Sequence, residues 1–304
     1  MLRSALLALS QSPRTARFVT HNKLSRRVVS RFVAGEHLDG AIAAVRTLNA
    51  AGRLASLDCL GESVSTETEA RSAAQTYLDM FDRIAAEKLT CNVSLKLTQL
   101  GLDISQPLCE ELLSGIVQRA AAQNNFVRID MEGSAYTQRT IDICKHVRMH
   151  SDSVGTVLQS YLFRTERDAQ DLIAVGCRLR LVKGAYKEPA TVAFPQKAGV
   201  DANYIKVMKV LLPSGIYHGI ATHDPQMIDA TKRFAAEQGI PIHQFEFQML
   251  YGIRTDLQDQ LIREGYRLRV YVPFGSDWFP YFMRRLAERP ANLKFFLTNL
   301  FRSS

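Results

Sequence analysis

One pattern repeats along this chain and leaves few folds open to it. A short apolar run ends in a polar residue, a loop follows, and an amphipathic helical stretch comes next. Eight such runs stand at residues 54–57, 93–97, 126–131, 155–158, 178–182, 219–221, 244–247 and 269–272. Helical patterns fill residues 66–87, 107–123, 138–149, 167–176, 202–212, 225–238 and 255–263 between them. The first helix opens on Thr66 and Glu69, which have the spacing of a capping box. Strand–helix alternation repeated in this way is the signature of a (β/α)8 barrel. The expected class is α/β, a TIM barrel. The 304 residues hold one barrel of about 250 residues plus a short extension.

The extension is expected at residues 1–50, an N-terminal helical arm, with the barrel at 51–304. Leu38, Ile42, Val45 and Leu48 recur there at helical spacing. Net charge is +8, and every charged residue before Glu36 is basic: Arg3, Arg14, Arg17, Lys23, Arg26, Arg27 and Arg31. That start reads either as a transit peptide or as basic helices opening the domain. A basic excess suits a membrane surface or anionic cofactors. No run approaches the roughly 20 apolar residues of a membrane span. The five cysteines are odd in number and form no CxxC, so reduced thiols and a cytoplasmic location are expected. There is no GxGxxG after a strand, no phosphate loop, no HExxH, no zinc cluster and no GxSxG elbow, and the basic residues lack a nucleic-acid pattern. No metal and no nucleic-acid partner are expected.

In such barrels chemistry gathers at the C-terminal ends of the strands. Ser94 and Lys96 stand at the second, Asp130 and Glu132 at the third, and Gln159 at the fourth. The fifth carries CRLRLVKGAY, with Arg178, Arg180 and Val182 on one face, two buried arginines by expectation, then Lys183 and Gly184. Thr222, His223 and Asp224 end the sixth strand, Glu246 and Gln248 share a face of the seventh, and Tyr271 lies in the eighth. A buried charge must pair or meet a ligand, and so many polar ends around one mouth exceed what a plain core needs. The last helix places Tyr281, Arg284, Arg285 and Glu288 along one side at i, i+3, i+4 and i+7. Paired arginines suit a carboxylate.

These motifs carry a resemblance over roughly residues 35–300: SLKL at 94–97, RIDMEGS at 128–134, LQSYL at 158–162, RLRLVKGAYKEP at 178–189, ATHD at 221–224, EFQMLYG at 246–252, VYVPFG at 270–275 and YFMRRLAE at 281–288. The chain resembles the bacterial monofunctional proline dehydrogenases, flavoenzymes on a distorted (β/α)8 barrel with the last helix over the mouth. The resemblance implies FAD held without a Rossmann domain. It implies oxidation of L-proline to Δ1-pyrroline-5-carboxylate by hydride transfer from C5 to flavin N5. It also implies that electrons pass to a membrane quinone; peripheral contact at the inner face of the membrane is expected of the basic arm instead. Arg180 resembles the arginine near N5, and Asp130 an acid of the same network. Lys183, Gly184 and Ala185 resemble contacts to the cofactor phosphates. Met131, Gln159, Thr222, His223 and Glu246 resemble other flavin contacts. Lys96, Arg284 and Arg285 resemble the grip on the substrate carboxylate, supported by Glu288 and Glu132. Tyr271 and Tyr281 resemble the walls around the proline ring.

Two other classes fit single features. A barrel lyase would form a Schiff base through Lys96 or Lys183. A non-catalytic barrel would bind flavin or proline without turnover.

Overall fold

The computed structural model describes residues 29–288, and of residues 284–288 the backbone alone. Eight parallel strands close one barrel in chain order. They are β1 (Leu54–Cys59), β2 (Cys91–Leu95), β3 (Val127–Ile129), β4 (Val154–Gln159), β5 (Arg178–Val182), β6 (His218–Ala221), β7 (Phe245–Leu250) and β8 (Leu268–Phe274). Helix α1 (Leu38–Ala50) precedes β1. Helices α2 (Glu67–Ala86), α3 (Gln106–Ala122), α4 (Thr137–Arg148), α5 (Thr165–Ile173), α6 (Lys197–Leu211), α7 (Pro225–Glu237) and α8 (Thr255–Arg263) follow β1 to β7 in turn, and α9 (Trp278–Glu288) follows β8. The alternation seen in the sequence is the fold. Most of the expected arm lies outside the described residues; α1 is its last helix.

The strands are apolar on the face that meets the helices. Leu57, Val93, Leu95, Leu179, Leu181, Phe247 and Val270 are fully buried there. Opposite them α2 lays down Ala70, Ala74, Tyr77, Phe81 and Ile84, spaced by three or four residues on one stripe. Truncating one such residue, Leu181→Ala for example, costs about 2–5 kcal/mol. The expected capping box is present: Thr66 Oγ1 accepts from Glu69 N, and the Glu69 carboxylate accepts from Thr66 N.

The inward face differs from the branched apolar layers usual in these barrels. Ser56, Ser94, Arg128, Arg180, Glu246 and Gln248 are all buried, and the Ser56 and Ser94 hydroxyls meet at 3.0 Å. Strand boundaries change what this face carries. β1 runs two residues beyond the expected end, which turns Asp58 inward as a fully buried carboxylate. β7 starts at Phe245, so Glu246 lies near its beginning and Gln248 near its middle. One expectation is corrected. Arg178 is exposed rather than buried, because it is the first residue of β5 and opens on the N-terminal rim.

A smaller apolar cluster lies at the opposite rim. Val29, Phe32 and Val33 pack with Leu60, Ile253 and the α9 residues Trp278, Phe279 and Phe282. Leu60 directly follows β1 and Ile253 lies three residues past β7, so α9 rests on the C-terminal end of the barrel, as expected. Gly252 permits this arrangement. Its φ is +68°, and a Cβ there would fall 1.7 Å from the Arg31 carbonyl.

His218, outside the mouth, sets an acid limit on stability. Its Nδ1 accepts the Leu179 amide at 3.0 Å, so the neutral ring carries its proton on Nε2, 2.9 Å from Ser214 Oγ. Burial, with Arg128 nearby, pulls its pKa down to about 3. The unfolded chain binds this proton below about pH 6.5 and the folded one does not until about pH 3. Stability is therefore expected to fall as pH drops through that window. Denaturant titrations from pH 7 to 4 should show a shallower fall in His218→Gln.

Candidate active site

Arg180 is the centre of the mouth. β5 turns its side chain inward, where it is 5 % exposed. Each guanidinium nitrogen has a partner on or just after a different strand. Nε donates to Gln248 Oε1 at 2.5 Å, Nη1 to Asp130 Oδ1 at 2.6 Å, and Nη2 to Ser94 Oγ at 3.1 Å. The guanidinium also lies 5.3 Å from the centre of the Tyr271 ring. Tyr271 donates its hydroxyl to the other oxygen of Asp130 at 2.8 Å. Burial and the Asp130 and Asp58 carboxylates push the Tyr271 phenol well above its ordinary pKa, so it stays protonated and remains a donor. β2, β3, β5, β7 and β8 thus fix one cation and one anion in a single geometry.

Lys96 is the second buried cation. It follows β2 and stands 3.4 Å from Asp58. Burial works against its charge, but Asp58 and Asp130 outweigh burial and raise its pKa, so it is held charged. Burial also raises Asp58, against the pull of Lys96. The 3.4 and 3.5 Å contacts are long for a charge-assisted bond, so the ammonium keeps donor capacity for another anion.

The remaining expected residues divide by position. Lys183 is gripped by Asp201 at 2.5 Å and Asp224 at 2.6 Å. Gly184 has a φ of +117°, and a Cβ there would lie 1.6 Å from the Tyr161 ring, so only glycine fits; Ala185 follows, half-buried. Thr222 Oγ1 accepts from Asp224 N, and His223 Nε2 accepts from Leu250 N, so both brace the loop after β6. Met131 is buried beside Asp130. Glu132 accepts from the Thr98 hydroxyl at 2.6 Å and ties the end of β3 to the turn after β2. Tyr281 is buried in the α9 cluster. Arg284, Arg285 and Glu288 lie on the α9 backbone, and their side chains fall outside the described residues.

Glu246 sits one layer below the mouth. It accepts from Arg269 Nε at 2.6 Å, Tyr217 at 2.8 Å and Gln248 Nε2 at 2.6 Å. Burial would raise its pKa, but these donors win and lower it. Gln248 above it is the group that touches Arg180. Gly219 makes room for that amide: a Cβ there would come within 2.4 Å of Gln248 Nε2. Gly219→Ala is expected to lower kcat/KM roughly tenfold by displacing Arg180's partner, with a smaller change in thermal midpoint. Steady-state kinetics beside a melting curve test this.

Asp58 and Gln248 were not assigned roles from sequence. The signal for Asp58 was the alternation in LASLD, which puts Ser56 and Asp58 on one face.

At the mouth one acceptor has no partner among the described residues. Gln159, at the end of β4, gives Nε2 to the Met131 and Glu132 carbonyls at 3.4 and 3.3 Å. Its Oε1 is buried and unbonded among the described residues. A planar ring with an N–H beside a carbonyl, such as isoalloxazine, fits that acceptor and the fixed cation at Arg180.

Known proteins are similar to this chain over most of its length. The family model described as proline dehydrogenase matches residues 41–297. The chain is 47 % identical over 279 residues to proline dehydrogenase 2 of Bacillus subtilis (strain 168), covering 90 % of this chain and 92 % of that protein. It is 39 % identical over 300 residues to the proline dehydrogenase of Deinococcus radiodurans, covering 97 % and 96 %. In structure it is similar to proline utilization A of Bdellovibrio bacteriovorus inactivated by N-propargylglycine, with a TM-score of 0.82 and 26 % identity. That match covers 87 % of this chain and 33 % of the longer one. With the matched family spanning all eight strands, the chain belongs to the proline dehydrogenase family of enzymes.

Proposed function

We propose that this chain oxidises L-proline to Δ1-pyrroline-5-carboxylate, with FAD as its flavin and a membrane quinone as final electron acceptor. The observation that carries the reading is the buried Arg180 cation, locked by Asp130, Gln248 and Ser94 at the C-terminal mouth. Membership of a flavoenzyme family supports a flavin there. A bound flavin supplies the hydride acceptor.

The chain's own residues do the rest. Lys96 supplies an ammonium to the substrate carboxylate, and Arg284 and Arg285 on α9 are proposed to complete the grip. A clamp at the carboxylate fixes where C5 points, which gains rate through orientation. Proline releases a hydride from C5 only when its ring nitrogen is neutral, since the nitrogen lone pair forms the new C=N bond. Cationic neighbours and desolvation lower an amine pKa, and Lys96 and Arg180 are both. Arg180 stabilises negative charge that grows beside it during the reaction. Tyr271 is proposed as one wall of the proline ring, with Tyr281 on α9 as the other. Gln248, Gln159, Met131, Thr222 and His223 line the proposed flavin site, and Lys183, Gly184 and Ala185 its phosphate end. Glu246 is placed as a support for Gln248 rather than a contact.

The Schiff-base alternative needs a neutral lysine. Lys96 is held charged by Asp58, and Lys183 Nζ is already engaged by Asp201 and Asp224, which counts against it. No helix of the described residues is long and apolar enough to cross a membrane. Contact with a membrane is assigned to the basic residues before Glu36; deleting residues 1–30 should then weaken vesicle binding and quinone-coupled turnover. The decisive measurement is an anaerobic visible spectrum before and after L-proline. A flavin spectrum that bleaches supports the reading, and a yellow protein that does not bleach moves the substrate elsewhere.

A further inference from the structure

We propose that the N-terminal end of the barrel holds a second binding site, for a small oxyanion of the carboxylate or phosphate type. A cleft of about 580 Å³ opens there, lined by Lys88, Asn92, Phe126, Arg128, Arg178 and Arg269 among others. It lies at the starts of the strands, on the face opposite Lys96 and Asp130. Its charges do not cancel. Its acid, Glu246, is already paired with Arg269 at 2.6 Å. Arg128 and Arg178 have no carboxylate partner among the described residues. Arg128 is 4 % exposed, and it satisfies Nη1 with the Thr156 and Arg178 carbonyls. Its Nε is buried without a partner among the described residues, and so is Asn92 Oδ1.

The two arginines are also held together. Their guanidinium carbons lie 4.8 and 5.3 Å from the centre of one ring, Phe126. Gly155 allows this, since a Cβ there would stand 2.9 Å from that ring and 3.0 Å from Arg128 Nη1. Bringing two like charges onto one ring, one of them buried, is costly without an anion. A structural arginine in this barrel looks different: Arg269, in the same cleft, has its carboxylate. An oxyanion between Arg128 and Arg178 supplies the missing charge, and a hydroxyl or amino group on it satisfies Asn92 Oδ1. Burial and the neighbouring Arg180 pull the Arg128 pKa down to about 9, which is consistent with a cation short of a counter-charge.

The test is titration calorimetry of the full-length holoenzyme with inorganic phosphate and, separately, acetate. Saturable millimolar binding is expected from at least one. Tighter phosphate binding assigns the site to phosphorylated ligands, and tighter acetate binding to carboxylates. Arg178 is exposed, so Arg178→Ala leaves the fold intact; it is expected to weaken binding roughly tenfold by removing one charge-assisted contact. Arg178→Lys should restore most of it, and the KM for proline should not change in either variant. Absence of saturable binding of both anions overturns the proposal. So does binding that Arg178→Ala leaves untouched, which would place the anion at the mouth.

Discussion

Replacing Arg180 with methionine is expected to cut kcat/KM for proline by roughly a thousandfold, the scale of losing a preorganised charge-stabilising donor. The loss should appear in kcat as well as KM. Three partners change at once: Asp130 keeps only Tyr271, Gln248 loses its acceptor role, and Ser94 loses a donor. Removing one member of a buried ion pair also costs about 3–5 kcal/mol of stability, so the thermal midpoint should drop. Anaerobic stopped-flow bleaching by proline, with flavin content measured on the same preparation, separates slow chemistry from lost cofactor. A variant that is fully loaded and bleaches at the wild-type rate sinks the role given to Arg180.

The second large effect is expected at Lys96. Lys96→Met should raise the KM for proline by roughly a hundredfold, as truncation of one partner of a buried charge pair does, and change kcat less. The carboxylate would lose its ammonium, while the grip proposed for Arg284 and Arg285 and the charge stabilisation proposed for Arg180 stay. Stability should fall less than in the Arg180 variant. Burial already raises Asp58, and without Lys96 that carboxyl can take up a proton instead of remaining a bare charge. The cost then appears as pH dependence. With its folded pKa raised above the unfolded value, Asp58 favours the folded state at low pH and loses that advantage as pH rises through the folded pKa. Melting curves across pH should therefore show Lys96→Met losing ground on the alkaline side. An unchanged KM removes Lys96 from the carboxylate site.

The barrel was legible because parallel strands leave apolar runs and amphipathic helices leave stripes, and both survive in the letters. Arg180, Asp130 and Tyr271 were legible as polar residues inside such runs, and the structure joins all three. Depth within the barrel was not legible. Glu246 and Gln248 share a face, and only the start of β7 at Phe245 shows that Gln248 reaches Arg180 while Glu246 lies beneath it. Arg178 and Arg180 alternate in the same way, yet the first is on the rim. Asp58 was hidden by a strand whose apolar stretch ends before its hydrogen bonding does. Register and strand length come from neighbouring strands, so no local window contains them.

Ring closure has a consequence for synthesis. β8 lies beside β1, and Arg269 donates to the Ala55 carbonyl across 214 residues. The mouth draws on Asp58 at one end of the chain and Tyr271 near the other. A chain emerging from the ribosome can stack its early strand–helix units in order. It cannot seat Tyr271 on Asp130, or place α9 over the rim, until nearly all of it has been made. Ribosome-bound fragments that end before β8 should therefore hold secondary structure but no catalytic pocket, and activity serves as a readout of completed translation.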